Sequence, residues 1–194
     1  MELMIRELLL GCGADRERRI GLRSACYTPE ENEHVGWHNL TTLDNNPRHK
    51  PDVVWDLNQR PLPFDDETFD EIHAYEVLEH IGTQGDWRSF FAEFSEYWRI
   101  LKPNGALVGT VPRWNHQWAW GDPSHTRIIA PGTFTFLSQG SYTNDIGRTS
   151  MSDFRYIYHA DFELEHCENP EGAHNMIFML RAIKPSRWVP EDAD

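Results

Sequence analysis

The chain alternates short apolar runs with polar, turn-rich stretches. Leu8-Leu9-Leu10 stops at Gly11-Cys12-Gly13. An apolar run ended by glycines predicts a buried strand entering a tight turn. Residues 14 to 36 are polar with little periodicity, and Asp15 to Arg19 is the one place where a short helix is expected. Trp37 to Leu43, with Trp, Leu and two threonines, predicts a second strand. After Pro47 and Pro51, Asp52 to Leu57 predicts a third. Phe69 to Ala74 predicts a fourth, followed by a helical turn around Val77 to Ile81.

The strongest helical pattern spans residues 86 to 101. Trp87, Phe90, Phe91, Phe94, Trp98 and Leu101 fall on one helical face, and Pro103-Asn104-Gly105 stops the run. Ala106 to Val111 is small or apolar throughout, as expected of a strand covered on both faces. Residues 112 to 150 are aromatic and polar, with one helix expected after Pro131. Phe162 to His166 and Met176 to Ile183 predict a closing hairpin. The polar tail, residues 186 to 194, is expected to be flexible. Strands alternating with helices predict an α/β sandwich with a mostly parallel sheet. Ligands of such sheets bind at the carboxyl ends of the strands.

Composition narrows this picture. The 194 residues suit a single domain, residues 1 to 194, able to bury a core without disulfides or metals. The formal net charge of −13 argues against nucleic acid and anionic membranes as partners. Cys12, Cys26 and Cys167 form no CxxC pair, which argues for a reducing compartment and against a zinc site. Charges at Glu2, Arg6 and Glu7 interrupt any signal-peptide core, and no apolar run approaches the ~20 residues of a membrane span. A soluble, cytoplasmic protein is expected. The sequence is silent on oligomeric state.

Three features at predicted strand ends can carry a ligand. Gly11-Cys12-Gly13 lets the backbone approach a ligand closely, although a plain turn fits equally well. Arg16 stands where a dinucleotide fingerprint needs a third glycine, which weakens a pyrophosphate reading. Asp44 can accept hydrogen bonds from a ribose diol or start the Asn45-Asn46-Pro47 turn. Asp56 and Leu57 can offer an acceptor and a backbone N–H to an adenine edge, or begin a loop.

The continuous text is more specific. Glu7-Leu-Leu-Leu-Gly-Cys-Gly13, Asp44 through Leu57, Pro61-Leu-Pro-Phe-Asp-Asp-Glu-Thr-Phe-Asp-Glu-Ile through Val77-Leu-Glu-His-Ile81, and Ile100-Leu-Lys-Pro-Asn-Gly-Ala-Leu107 occur in order. Over roughly residues 5 to 112 the chain resembles class I S-adenosylmethionine-dependent methyltransferases, especially the type 11 subgroup. The resemblance implies a Rossmann-like three-layer α/β sandwich. Its seven-stranded, mostly parallel sheet has the order 3-2-1-4-5-7-6, with strand 7 antiparallel. It implies S-adenosyl-L-methionine as cofactor. Gly11, Cys12 and Gly13 would face the methionine part, Asp44 the ribose, and Asp56 with Leu57 the adenine. Tyr75 and Glu76 would lie near the methionine end. The interval from Gly13 to Asp44 exceeds the family pattern by about ten residues, which implies an insertion around residues 20 to 36, and no helix precedes the first strand.

Residues 113 to 150 follow the fifth strand and are expected to form the acceptor side. Asp122-Pro-Ser-His125 resembles a D-P-x-H segment of this subgroup. Asp122, Arg127 and Trp118 are candidate acceptor-binding residues, with Trp114 and Trp120 nearby. His125 is the first candidate base and His80 the second, although loop and helix-start packing explain both positions as well. Glu79 and His80 are adjacent, the wrong spacing for two ligands on one helix face, so no metal is expected. Methyl transfer is an in-line displacement from a sulfonium, so alignment is the main task. The expected acceptor is a small molecule. The alternatives are a nucleic-acid or protein methyltransferase, or a non-catalytic cofactor-binding scaffold on the same fold.

Overall fold

The computed structural model describes residues 5–20 and 36–190. The apolar runs become strands: β1 (Glu7–Leu10), β2 (Leu40–Asp44), β3 (Val53–Val54), β4 (Phe69–Tyr75), β5 (Leu101–Pro112), β6 (Phe162–Glu168) and β7 (Asn175–Ala182). They form one sheet in the order β3-β2-β1-β4-β5-β7-β6. The first five strands run parallel where they pair, and β7 is antiparallel to both β5 and β6. The sheet is therefore the one the resemblance implied.

Registers place Leu8 beside Ile72, Ile72 beside Leu107 and Leu107 beside Leu180, so one face of the sheet is continuously apolar. Helix α1 (Trp87–Ile100) covers that face with Phe91, Phe94, Tyr97 and Ile100. Asp86 caps it by accepting from the Ser89 N–H at 3.1 Å. The helix ends at Ile100, two residues before the residue preceding Pro103, in keeping with the bias of a pre-proline residue against helical backbone. Leu101 already pairs with Phe69, and the Lys102–Gly105 stretch bulges before pairing resumes at Ala106. Strand β5 is thus longer than the apolar run alone predicts. The 3-10 turn Pro131–Leu137 and helix α3 (Gln139–Asn144) complete the cover with Phe134, Leu137 and Tyr142.

The opposite face differs. Glu7, Leu9, Glu71, His73 and Tyr75 point there, and the expected helix at Asp15 to Arg19 does not form. Instead residues 14–20 pass over this face of the sheet without regular secondary structure. Arg18 pairs with Glu7 and Glu71, and the Trp37 indole N–H donates to the Arg16 carbonyl at 2.5 Å. Ion pairing across the sheet replaces local hydrogen bonding along a helix. Most of the insertion expected around residues 20 to 36 lies outside the described residues.

Strand β3 is shorter than the sequence predicts because, at the sheet edge, only Val53 and Val54 find partners on β2. Trp55 makes one more bond, to the Asp44 carbonyl at 3.0 Å, and Asp56-Leu57 then leaves as a loop. At the chain end, Arg187 binds Asp161 through its backbone N–H and guanidinium at 2.7–3.0 Å, and the Trp188 indole donates to the Arg155 carbonyl at 2.9 Å. Within the tail expected to be flexible, Arg187 and Trp188 thus make tertiary contacts, and 191 to 194 lie outside the described residues. Among the described residues no helix is long and apolar enough to cross a membrane.

Candidate functional site

The carboxyl ends of β1, β2 and β4 open into a cleft of about 410 Å³. Gly11, Gly13, Asp44, Asp56 and Leu57 line it, so five of the eight expected cofactor contacts converge on one space. Gly11 and Gly13 both have left-handed backbone, with φ of +56° and +55°, a conformation that glycine adopts without steric penalty. A Cβ on Gly11 would also collide with the Val77 side chain, whereas Gly13 faces open space. The turn therefore presents backbone, not side chain, to a ligand.

Asp44 is held rigidly at the cleft wall. Its Oδ2 accepts from the Gly13 N–H at 2.8 Å and its Oδ1 from the Asn46 N–H at 2.7 Å. His49 Nδ1 lies 3.1 Å from Oδ2. Burial disfavours the charge, but the two N–H donors and His49 outweigh it and hold the carboxyl below its usual range. Asp44 is thus an oriented anion, suited to accept from a diol. His49 lines the same cleft and was missed by sequence reasoning. Its one available signal was its place three residues after Asn46, in a turn beside the carboxylate. Asp56 is half-buried and fixes its loop by accepting from the Asn58 N–H at 2.9 Å, while the Asn58 side chain accepts from the Gly82 N–H at 2.9 Å.

Three expected contacts do not line the cleft. Cys12 and Tyr75 turn to the other face and pack with Leu9 against Ile20, Trp37 and Leu40. Burial raises the Cys12 thiol above its usual value and pushes the Tyr75 hydroxyl up to about 12. Tyr75 belongs to a buried relay. Glu71 Oε2 already accepts from the Arg18 guanidinium, so His73 Nε2, 2.9 Å from the same oxygen, carries the proton and donates to it. His73 Nδ1 then accepts from the Tyr75 hydroxyl at 2.7 Å, and that hydroxyl accepts from the Ile20 N–H at 3.2 Å. Burial lowers the His73 pKa, which keeps the ring neutral. Alternation along β4 decides this placement, because Tyr75 follows Glu71 and His73 on one face. Glu76, one residue on, is half-buried with φ of +55°, and its inaccessible Oε1 lacks a hydrogen-bond partner among the described residues. Burial raises its carboxyl pKa.

The two candidate bases are brought together. The 3-10 turn Leu78–His80 follows β4, and the loop around Asp122 to Arg127 folds over it through Thr126 N–H to the Glu79 carbonyl at 2.9 Å. The His80 and His125 rings meet edge to face with centroids 4.7 Å apart. His80 Nδ1 bonds the Ser124 carbonyl at 3.2 Å, and His80 also lines the cleft. Glu79 points into the same corner, with its Oε1 3.9 Å from His125 Nε2. Burial pushes the Glu79 carboxyl up to about 8. Sequence reasoning missed this carboxylate as a functional group, although it stands in the Val77-Leu-Glu-His-Ile81 phrase itself.

The expected acceptor residues divide. Asp122 accepts from the Ser124 N–H at 2.8 Å and hydroxyl at 2.6 Å, leaving Oδ2 3.9 Å from His125 Nε2. Trp118 lies on the short helix α2 (Gln117–Gly121) and is exposed, as are Trp114 and Trp120. Arg127 is a correction. It is buried, forms a two-point pair with Glu93 at 2.8 Å and donates Nε–H to the Leu78 carbonyl at 2.8 Å. Its fork is committed to holding the Leu78–His80 turn against α1, not to an acceptor.

Residues 32–109 match the methyltransferase domain family of type 11. No curated protein matches the sequence. Solved structures with the same fold include a chain from the complex between the Haloferax volcanii Trm112 methyltransferase activator and a methyltransferase. That match has 14% identity and a TM-score of 0.55, and covers 93% of this chain and 83% of that one. A SAM-dependent methyltransferase from Archaeoglobus fulgidus gives 16% identity and a TM-score of 0.54, covering 91% and 86%. The N-methyltransferase NodS from Bradyrhizobium japonicum WM9, in complex with S-adenosyl-L-homocysteine, gives 17% and 0.51, covering 92% and 78%. At such identities the likeness speaks for the fold. Strand order and these structural matches give the chain the methyltransferase fold, and its residues 32–109 are similar to the type 11 methyltransferase domain.

Proposed function

We propose that this chain is an S-adenosyl-L-methionine-dependent methyltransferase acting on a small-molecule acceptor. The observation that carries the proposal is the convergence of Gly11, Gly13, Asp44, Asp56 and Leu57 on one cleft at the carboxyl edge of the sheet. A glycine backbone suits close approach by the methionine moiety. The oriented Asp44 carboxylate, with His49 behind it, suits a ribose diol. The Asp56-Leu57 loop suits an adenine edge. Residues 113 to 150 form the acceptor side in this reading, within a single domain of residues 1 to 194.

The sulfonium supplies its own leaving group. The chain's task is to align nucleophile, methyl carbon and sulfur, an effect that reaches ~7–11 kcal/mol in the best cases. Where the acceptor must lose a proton, His125 is the first candidate to take it and His80 the second. Asp122, 3.9 Å from His125, and the exposed Trp118 are the acceptor contacts in this reading. The net charge of −13 favours a small molecule over nucleic acid.

Calorimetry with S-adenosyl-L-methionine and S-adenosyl-L-homocysteine tests the proposal. One binding site for either, lost in Asp44→Ala, is expected. Absence of binding to both would overturn the proposal. Binding of both without turnover of any acceptor in a methyl-transfer screen would favour a non-catalytic cofactor-binding role.

A further inference from the structure

We propose that Glu79, His80 and His125 form a binding site for a divalent transition-metal ion of the zinc type at the rim of the cleft. One ligand atom from each residue lies within 4.8 Å of the others. The two imidazoles come from separate segments, the 3-10 turn after β4 and the loop after α2. Adjacent residues on one helix face are wrongly spaced to share a metal, but Glu79 and His80 lie in a short 3-10 turn. Here tertiary structure supplies the third ligand from a segment more than forty residues away.

A second, independent observation points to a ligand. Glu79 is 2% exposed, yet neither of its carboxylate oxygens has a hydrogen-bond partner among the described residues. The His125 side chain is 9% exposed, and its Nδ1 is likewise unpartnered. Buried polar atoms are almost always satisfied, so a buried carboxylate with both oxygens orphaned needs an explanation. The basic group that could have answered them, Arg127, is already committed to Glu93. A cation held between Glu79 and His125 Nε2, 3.9 Å apart, would answer the Glu79 carboxylate.

The donor set decides the class of ion. Two imidazole nitrogens with one carboxylate suit Zn²⁺ or its first-row neighbours. Mg²⁺ and Ca²⁺ prefer sets made of oxygen. The supporting contacts have the form common around such ions, in which the second ring nitrogen is held by an acceptor. His80 Nδ1 bonds the Ser124 carbonyl at 3.2 Å, which leaves Nε2 for the ion. Asp122 Oδ2, 3.9 Å from His125 Nε2, is placed to join as a fourth ligand or to hold that ring. Because His80 also lines the cleft, the ion would be reachable from the space assigned to the methyl donor. Its suggested role, holding an oxygen- or nitrogen-bearing acceptor beside the donor, would replace the base roles of His125 and His80 and rests on the methyltransferase reading. The metal site itself does not.

The test uses the untagged full chain, stripped with chelator and titrated with Zn²⁺ by calorimetry and with Co²⁺ by visible absorption. The expected result is one equivalent bound, with a Co²⁺ spectrum showing nitrogen and oxygen ligands. Glu79→Gln and His125→Ala should each weaken Zn²⁺ by at least about 10-fold, the lower bound seen for outer-shell partners alone. His174→Ala serves as the control, since His116 and His174 form another ring pair with centroids 4.6 Å apart. It should leave binding unchanged. Circular dichroism and melting of each variant report whether it folds. Should His125→Ala not fold, His125→Gln replaces it. Sub-stoichiometric binding, or full binding retained in folded Glu79 and His125 variants, would overturn the site. S-adenosyl-L-homocysteine titrations of the same samples keep the two proposals separable. Homocysteine-adenosyl binding without metal sinks only this inference, and metal without nucleoside binding sinks only the cofactor reading.

Discussion

Two carboxylate–imidazole clusters lie along one stretch of chain, and they are finished in opposite ways. Glu71 and His73 on β4 meet Glu7 of β1, and Glu79 and His80 just beyond β4 meet His125. The residue types are nearly the same. In the first cluster Arg18 reaches across, with its guanidinium 2.8 Å from Glu7 and 2.5 Å from Glu71. The His38 N–H adds a bond to Glu7 at 2.6 Å, and the His73 ring is fixed between Glu71 and Tyr75. The second cluster has no such closure among the described residues. A buried charge is tolerated when it is paired and hydrogen-bonded, and otherwise it neutralises or recruits a partner. The first cluster is therefore a structural clasp, tying residues 14–20 to the sheet. The second is a site that waits for something outside the chain.

The largest expected effect comes from opening the clasp. Arg18→Ala strands Glu7 and Glu71 without a cation, and breaking a buried pair in this way costs about 3–5 kcal/mol. Urea unfolding should show that loss. A loss below about 1 kcal/mol would mean that the clasp is not needed to hold the fold.

Asp44 stands between the two clusters, because two backbone N–H groups and His49 already face it, yet it opens to the cleft. Hydrogen bonds to a charged group contribute about 1.5–3 kcal/mol each. Asp44→Asn should thus weaken S-adenosyl-L-homocysteine by roughly 10- to 100-fold, measured by calorimetry. The same variant has a pH signature. The folded carboxyl sits below its usual value, so its contribution is present above that value and lost as pH falls through the depressed one. Asp44→Asn should flatten that acid limb of the stability curve. An unchanged limb would show that other carboxylates carry it.

The smallest effect sharpens the contrast most. In metal-free buffer, Glu79→Gln should lower stability by no more than about 0.5 kcal/mol. The carboxyl has no internal hydrogen-bond partner to lose. A loss of several kcal/mol under chelation would make the second cluster as structural as the first.

Much of this was legible from local pattern. Strand and helix periods placed β1, β4, α1 and the closing hairpin within a few residues, because each period reflects burial on one face. Gly11, Gly13, Asp44, Asp56 and Leu57 were legible because strand ends in a parallel sheet share one edge. Cys12 and Tyr75 were assigned to the wrong side of that edge. Adjacent strand residues face opposite ways, so a stretch near a ligand site contributes only alternate side chains to it.

Arg127 was misjudged for a different reason. An arginine in a polar loop suggests a ligand contact, yet Glu93, thirty-four positions earlier, captures it. Local sequence carries no record of which distant carboxylate will be opposite. The same ignorance hid Glu79, whose significance lies in lacking a partner of this kind.

The sequence by itself determined the strands, the principal helix, the glycine turn and the family text, since these depend on backbone sterics and periodic burial over neighbouring residues. Only the tertiary structure decided which carboxylates were paired. Pairing depends on distances of a few ångströms between segments tens of residues apart. It therefore took the fold to make Glu7 and Glu71 part of a clasp and Glu79 part of a site.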